Sequence, residues 1–259
     1  MKKIFMAFML CLSLFMCGCK KVPENTVHSP ADLEGKTIGV QLKTTGDVYA
    51  TDIKDADVQR FNRGRDAVLA LRDGGVDAVM LDDETAKVFV KEFEDLTILE
   101  EPYADEEYGI AIGKDNSELL EKVNTALAKL NAEGVIDRIA KAWIEDGEEQ
   151  SAYDGQTGSD YEAGTLVMVT NAEFPPYESM LDDGTIVGID VDIMKAICDE
   201  LDMKLQVKHT AFDSLIASVE RKTADVAMAA MTINDDRLEH VNFSNTYMYA
   251  KQVIIVRAK

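Results

Sequence analysis

The sequence predicts an α/β fold in which the strands of a largely parallel sheet alternate with helices. Two observations predict it. Short apolar runs such as Thr37–Val40 and Val76–Leu81 are each followed by stretches with helical spacing of apolar residues. The same alternation resumes at Leu166–Thr170 and runs almost to the end of the chain. A third observation divides the chain in two. The segment EDGEEQSAYDGQTGSDYE, residues 145–162, carries seven acidic residues, three glycines and no basic residue. Nothing apolar repeats in it, so it reads as a self-repelling, flexible connection between two blocks.

The first block opens with the strand Thr37–Val40, then a helix from Thr45 to Asp52 and a second strand over Val58–Phe61. Asn62 is positioned to cap a helix over Arg63–Arg72. Gly74-Gly75 turns the chain into the strand Val76–Leu81, followed by a helix over Asp83–Lys91 and the strand Thr97–Leu99. Tyr108–Gly113 is extended, and Ser117 is positioned to cap a long helix, Glu118–Leu130, whose Leu119, Val123, Ala126, Leu127 and Leu130 share one face. Gly134 separates a further helix, Val135–Trp143. In the last block, Leu166–Thr170, Leu205–His209, Asp225–Met228 and Met248–Val256 read as strands. Asp190–Leu201 and Phe212–Arg221 read as helices, and Tyr177–Gly188 as a hairpin turning at Asp183-Gly184.

At 259 residues, 46% apolar and 29% charged, the chain is long enough for two modest lobes with cores of their own. A net charge of −21 argues against binding to nucleic acid or to anionic membrane surfaces. Lys2 and Lys3 precede a run from Ile4 to Phe15 that is apolar but for Ser13, too short to span a bilayer, so residues 1–19 read as a secretory leader. Three of the four cysteines (Cys11, Cys17, Cys19) belong to that region, and Cys198 stands alone on an expected helix as a small buried thiol. With three histidines and no zinc-type spacing, neither a metal nor another cofactor is expected.

Two stretches carry a resemblance. TLVMVTNAEFPPYESMLDDGTIVGIDVDIMKAICDEL, from Thr165, and SLIASVERKTADVAMAAMTINDDRLEHVNFSNTYMYAKQVIIV resemble the opening lobe of the bacterial extracellular solute-binding proteins, family 3, which serve polar amino-acid ABC transporters. DLEGKTIGVQLKTTGD and GGVDAVMLDDETA, within residues 32–86, resemble that family's second lobe. The halves stand in reversed order. The resemblance therefore implies a two-lobed, periplasmic-binding-protein-like type II fold, circularly permuted. It implies a tether at 20–31, a second lobe at 32–106, a first lobe formed by 107–146 and 164–259, and a linker at 147–163 joining the family's old termini. As a coil those 17 residues reach roughly 20–25 Å. Of the family's two inter-lobe crossings, one is expected to be cut beyond Val256, leaving the other around Glu101–Tyr108. The leader's end, MCGCKK, resembles a lipoprotein cleavage box with Cys19 as the acylated residue. Met16 stands where that box has leucine, and a plain signal peptide is the alternative.

The resemblance also implies a site. A zwitterion needs a cationic fork for its carboxylate and an acid for its ammonium. Arg237 in MTINDDR matches the family's carboxylate-binding arginine, whose planar guanidinium grips two oxygens where a lysine cannot. Thr232 matches the hydroxyl of the same loop, and the backbone of Ala230 the edge facing the ammonium. Thr45, at a helix entry, matches the second lobe's carboxylate contact. Asp82 matches the acid at the ammonium, although Asp83 and Glu84 follow it and all three also suit a helix start. Phe174 and Phe212 match the flanking aromatics, and Asn171 stands where several relatives have aspartate, with Glu173 nearby as a replacement charge. The expected function is a non-enzymatic, extracytoplasmic amino-acid-binding protein, monomeric and held at the membrane by a lipid anchor, that delivers its ligand to an ABC permease. A cyclic dehydratase-like enzyme on the same scaffold and a sensor ectodomain are the alternatives.

Overall fold

The computed structural model describes residues 22–147, 150–155 and 161–258. The leader, Cys19 and parts of the expected linker lie outside the described residues.

The first block forms β1 (Thr37–Gln41), α1 (Thr45–Asp52), β2 (Asp57–Phe61), α2 (Gly64–Arg72), β3 (Ala78–Asp82), α3 (Asp83–Glu92), β4 (Leu96–Ile98) and β5 (Ala104–Tyr108). β1 and β3, inside the sheet, are short and almost wholly buried, whereas β2 lies at its edge and is partly exposed. All five residues of β3 are buried. The Thr44 hydroxyl accepts the Asp47 N–H and starts α1 where the sequence places it. Asn62 does not cap α2: Arg63 holds that position without a side-chain bond.

The chain continues through β6 (Ala111–Gly113), α4 (Ser117–Ala132) and α5 (Val135–Lys141), which ends in a π turn at Ala142–Asp146. The Asn116 side chain, one residue ahead of Ser117, accepts the Leu119 N–H and caps α4. After the acidic stretch come β7 (Thr165–Thr170), β8 (Glu173–Phe174), β9 (Glu178–Met180), β10 (Ile186–Val187), α6 (Ile189–Glu200), β11 (Lys204–His209) and α7 (Leu215–Glu220). Then follow β12 (Val226–Ala227), α8 (Asp235–His240), β13 (Val241–Phe243) and β14 (Met248–Arg257). The expected hairpin is present as β9–β10, antiparallel, with Gly184 at φ +86° in its turn. On α6, Cys198 is a buried free thiol whose acidity burial suppresses, moving its pKa up to about 12.

Two large sheets result. One has the order β2-β1-β3-β14-β4, with β5 also paired to β14; the other has the order β11-β7-β12-β6-β13. This corrects two expectations. β14 lies inside the sheet of β1–β4, antiparallel to β3 through Gln252–Asp82 to Ile255–Val79, so the C-terminal strand belongs to the second lobe and not the first. It also runs antiparallel to β5, from Met248–Tyr108 to Gln252–Ala104. Both covalent crossings between the lobes are therefore present, side by side, as β5 and β14.

The acidic segment is not free of the body where it is described. The buried carboxylate of Asp192 accepts bonds from Trp143 Nε1 (2.9 Å), Ser151 Oγ (2.8 Å) and the Ala152 N–H (2.6 Å). The hydroxyls of Tyr153 and Tyr161 both donate to Asp199 at 2.9 Å. Composition alone predicts repulsion; three polar side chains and one amide docked on α6 overcome it at these positions.

Gly188 starts α6 at φ +141°, and a Cβ there would lie 2.1 Å from the Tyr177 carbonyl oxygen. Gly188→Ala is expected to cost more than about 2 kcal/mol, a fall of roughly 5–10 °C in the melting temperature. An unchanged melting curve would show that the Tyr177–Gly188 contact can relax.

Candidate functional site

The C-terminal end of β3, the entry to α1 and the loop 229–237 converge between the lobes. Gln41, Thr45 and Asp82 from one side face Phe174, Phe212, Ala229, Ala230, Thr232 and Arg237 from the other around a small cavity of about 10 Å³. Seven of the eight residues predicted from the sequence line it. Asn171 is the exception. It sits behind the wall, where its Oδ1 accepts the Gln41 side-chain amide at 2.9 Å and its Nδ2 donates to the Thr210 carbonyl at 3.1 Å. Glu173 does not supply a free charge to the cavity, because it pairs with Arg63 across the cleft at 2.9 Å.

The lobes meet directly over the cavity. The Thr45 and Thr232 hydroxyls are 3.5 Å apart, and Arg237 Nη2 donates to the Lys43 carbonyl at 3.2 Å. Free space of this size is about that of one water molecule, so a larger solute enters only when the lobes part. Beside the cavity, and sharing Phe212 and Arg237 with it, a groove of about 620 Å³ opens between α1 and the α7–α8 side.

Arg237 begins on α8, whose first turn is held by the Asn234 side chain accepting the Arg237 N–H at 2.9 Å. Its side chain is buried, with Nη1 donating to the Thr232 carbonyl at 2.6 Å and the guanidinium 5.4 Å above the Phe212 ring. Burial lowers its pKa, an effect the nearby Glu106 and Asp82 oppose. Two of the five guanidinium N–H donors go to backbone carbonyls, so three remain for an anion.

Asp82 closes β3 and is buried against two strands that cross between the lobes. It accepts hydrogen bonds from the Tyr108 hydroxyl of β5 and the Gln252 amide of β14. The same Gln252 amide reaches Glu106 at 2.9 Å. Burial, reinforced by Glu106, raises the Asp82 pKa well above the usual carboxylate range, against the pull of those two donors. Asp82 is the N-cap residue of α3 but makes no capping bond; its side chain turns to the cavity wall.

Sequence reasoning missed Gln41, Ala229, Glu106, Tyr108 and Gln252. Gln252 left a signal, a polar residue inside the apolar run YAKQVIIV. Glu106 and Tyr108 left none, since an acidic stretch such as ADEEY resembles an exposed loop. Among the described residues, no group of His, Cys, Asp or Glu could hold a metal ion, and no helix is long and apolar enough to cross a membrane.

Parts of the chain are similar to known proteins. Residues 166–259 match the family model of bacterial extracellular solute-binding proteins, family 3. A probable histidine-binding protein of Neisseria gonorrhoeae is 38% identical over 89 residues, covering 34% of this chain and 33% of that protein. The L-cystine-binding protein TcyJ of Escherichia coli K12 is 31% identical over 127 residues, 48% of each chain. Among solved structures, an ancestral arginine-binding protein bound to arginine is 35% identical and covers 34% of this chain and 38% of its own, with a TM-score of 0.32. The chain thus spans a third to a half of the length of these curated relatives. Over residues 166–259, the part that carries Arg237 and Thr232, the chain is similar to the bacterial extracellular solute-binding proteins, family 3.

Proposed function

We propose that the protein is an extracytoplasmic amino-acid receptor that closes its two lobes on the ligand and presents it to an ABC transporter permease. The observation that carries this reading is the convergence of Arg237 and Asp82, a buried cation and a buried acid on opposite lobes, at one inter-lobe cavity. The ligand carboxylate meets Arg237, Thr232 and the α1 entry at Thr45. The ligand ammonium meets Asp82. Phe174 and Phe212 flank the stem. Each end of a zwitterion thereby pulls on a different lobe, and closure follows binding. Relatives named as histidine-, arginine- and cystine-binding proteins support an amino-acid ligand.

The permuted order forms part of the proposal. It is supported by β1–β5 of the second lobe preceding the first lobe's β7–β13 along the chain, while β14 returns into the second lobe's sheet. With both crossings intact, the hinge is expected to be as constrained as in an unpermuted relative. Anchoring through Cys19 completes the proposal: it would hold a receptor with no spanning helix among its described residues at the membrane.

The test is a thermal-shift screen of the twenty standard amino acids, L-cystine and L-ornithine, followed by calorimetry. A ligand at 100 times its Kd stabilises the folded state by about 2.7 kcal/mol, a shift of roughly 5–10 °C. Absence of any shift at millimolar concentrations would overturn the reading.

A further inference from the structure

We infer that Tyr108, which does not line the cavity, is a positioning residue: its hydroxyl holds Asp82 on the cavity wall and away from the start of α3, and it does so from a strand whose backbone is bonded to the loop that carries Thr232. The inference rests on the amino-acid reading above and adds to it a group outside the binding wall.

Tyr108 closes β5 and is fully buried. Its hydroxyl donates to Asp82 Oδ2. The Gln252 amide, which holds Oδ1, is shared with Glu106, so Tyr108 is the partner whose single proton goes to Asp82. Burial, and after it the Asp82 charge, push the Tyr108 pKa well above the usual phenol value, so the group keeps its proton and acts as a donor. Packing fixes where that proton points. The ring meets the Tyr177 ring edge-on, with centroids 5.3 Å apart and planes at 82°, and lies 6.2 Å from the Tyr247 ring.

The backbone of the same residue faces the other half of the site. Tyr108 pairs with Thr232 in an antiparallel bridge. On either side of it, the Gly109 N–H donates to the Met231 carbonyl at 3.0 Å and the Ile233 N–H to the Glu107 carbonyl at 2.9 Å. One residue therefore braces the carboxylate loop through its backbone and the ammonium acid through its side chain. The spacing between the two ends of the zwitterion is set at this point of β5.

Asp82 has a competing place to go. It occupies the N-cap of α3 at φ −72°, ψ 144°, where an aspartate ordinarily accepts N–H groups of the first turn. It makes no such bond here. Without the Tyr108 hydroxyl, the carboxyl keeps only its share of the Gln252 amide and is free to rotate back to the helix start, away from the ligand.

The experiment uses the whole protein. The screen above gives the amino acid that binds wild type; its counterpart lacking the α-ammonium is the second probe. Tyr108→Phe, which keeps the ring and the backbone pairing, is expected to weaken the amino acid about 10-fold and the desamino counterpart less than about threefold. In an Asp82→Asn background the same change is expected to cost less than about threefold for either probe, because its effect runs through the carboxylate. In wild type labelled with 13C at the tyrosine Cζ, the amino acid is expected to move the Tyr108 resonance and the desamino counterpart to leave it in place. This last measurement decides the matter if Tyr108→Phe does not fold by circular dichroism. Unchanged affinity for the amino acid, equal weakening of both probes, a full repeat of the loss in the Asp82→Asn background, or a Tyr108 resonance that responds alike to both probes would each overturn the assignment. A wild-type protein that binds none of the amino acids overturns the amino-acid reading, and the positioning role with it, before any variant is made.

Discussion

Arg237→Ala is expected to abolish measurable ligand binding while leaving the protein folded. Among the described residues the guanidinium is the only buried cation at the cavity, and three of its donors are uncommitted. Truncating one partner of a desolvated, hydrogen-bonded charge pair costs about 2–5 kcal/mol, roughly 30- to 5000-fold in Kd. Arg237→Lys should recover little of this, since an ammonium cannot place two parallel bonds on a carboxylate while also holding the Thr232 and Lys43 carbonyls. In the absence of ligand the change is modest, because the bonds lost run to two backbone carbonyls at the cleft. Calorimetry beside a melting curve separates the two effects. Binding within threefold of wild type would show that the anion site lies elsewhere, with the groove beside α1 the next place to look.

The sequence disclosed most of the fold because its apolar periodicity is local. The helix Thr45–Asp52 and the strands Thr37–Gln41 and Thr165–Thr170 are set by runs of neighbouring residues. The site was legible for a different reason. Arg237, Thr232, Thr45 and Asp82 each lie in a short motif at the end of a strand or the entry to a helix, and the resemblance gave each motif its partner in the other half. What stayed hidden depends on contacts between distant residues. Nothing local in Met248–Arg257 says that it pairs with β3 rather than with the strands preceding it, and that pairing decides whether the hinge has one crossing or two. The docking of Ser151, Ala152 and Tyr153 on α6 is equally invisible in a string of acids and glycines. Asn171 was placed one layer too close, because its position in the motif does not reveal that Gln41 reaches across to it.

Asp82→Asn is expected to separate binding from stability. In the ligand-free protein Asp82 is buried beside Glu106, and burial raises its pKa well above the normal carboxylate range. A carboxyl whose folded pKa is raised stabilises the fold fully only below its unfolded value, near 4, and that contribution is lost as pH rises through the folded pKa. Wild type without ligand should therefore melt highest at acidic pH and lose stability as pH climbs. The asparagine removes the share of this dependence that Asp82 contributes and leaves that of the buried Asp190 and Glu178. It keeps an oxygen for the Gln252 amide and offers its own amide to the Tyr108 hydroxyl, so the bonds survive and the charge is gone. Replacing a buried charge in this way is worth about 1–3 kcal/mol, or roughly 2–10 °C at neutral pH. Ligand binding should move the opposite way. An incoming ammonium supplies the counter-charge that the empty cleft withholds and favours the ionised form of Asp82, so binding is expected to be accompanied by proton release from this carboxyl. Without the carboxyl that attraction is lost, and affinity is expected to fall at least about 30-fold. Melting curves across pH, with calorimetry in two buffers of different ionisation enthalpy to count the proton, test both halves. A variant that melts lower than wild type and still binds would make Asp82 an anchor for the crossing strands, with the ligand's ammonium held elsewhere.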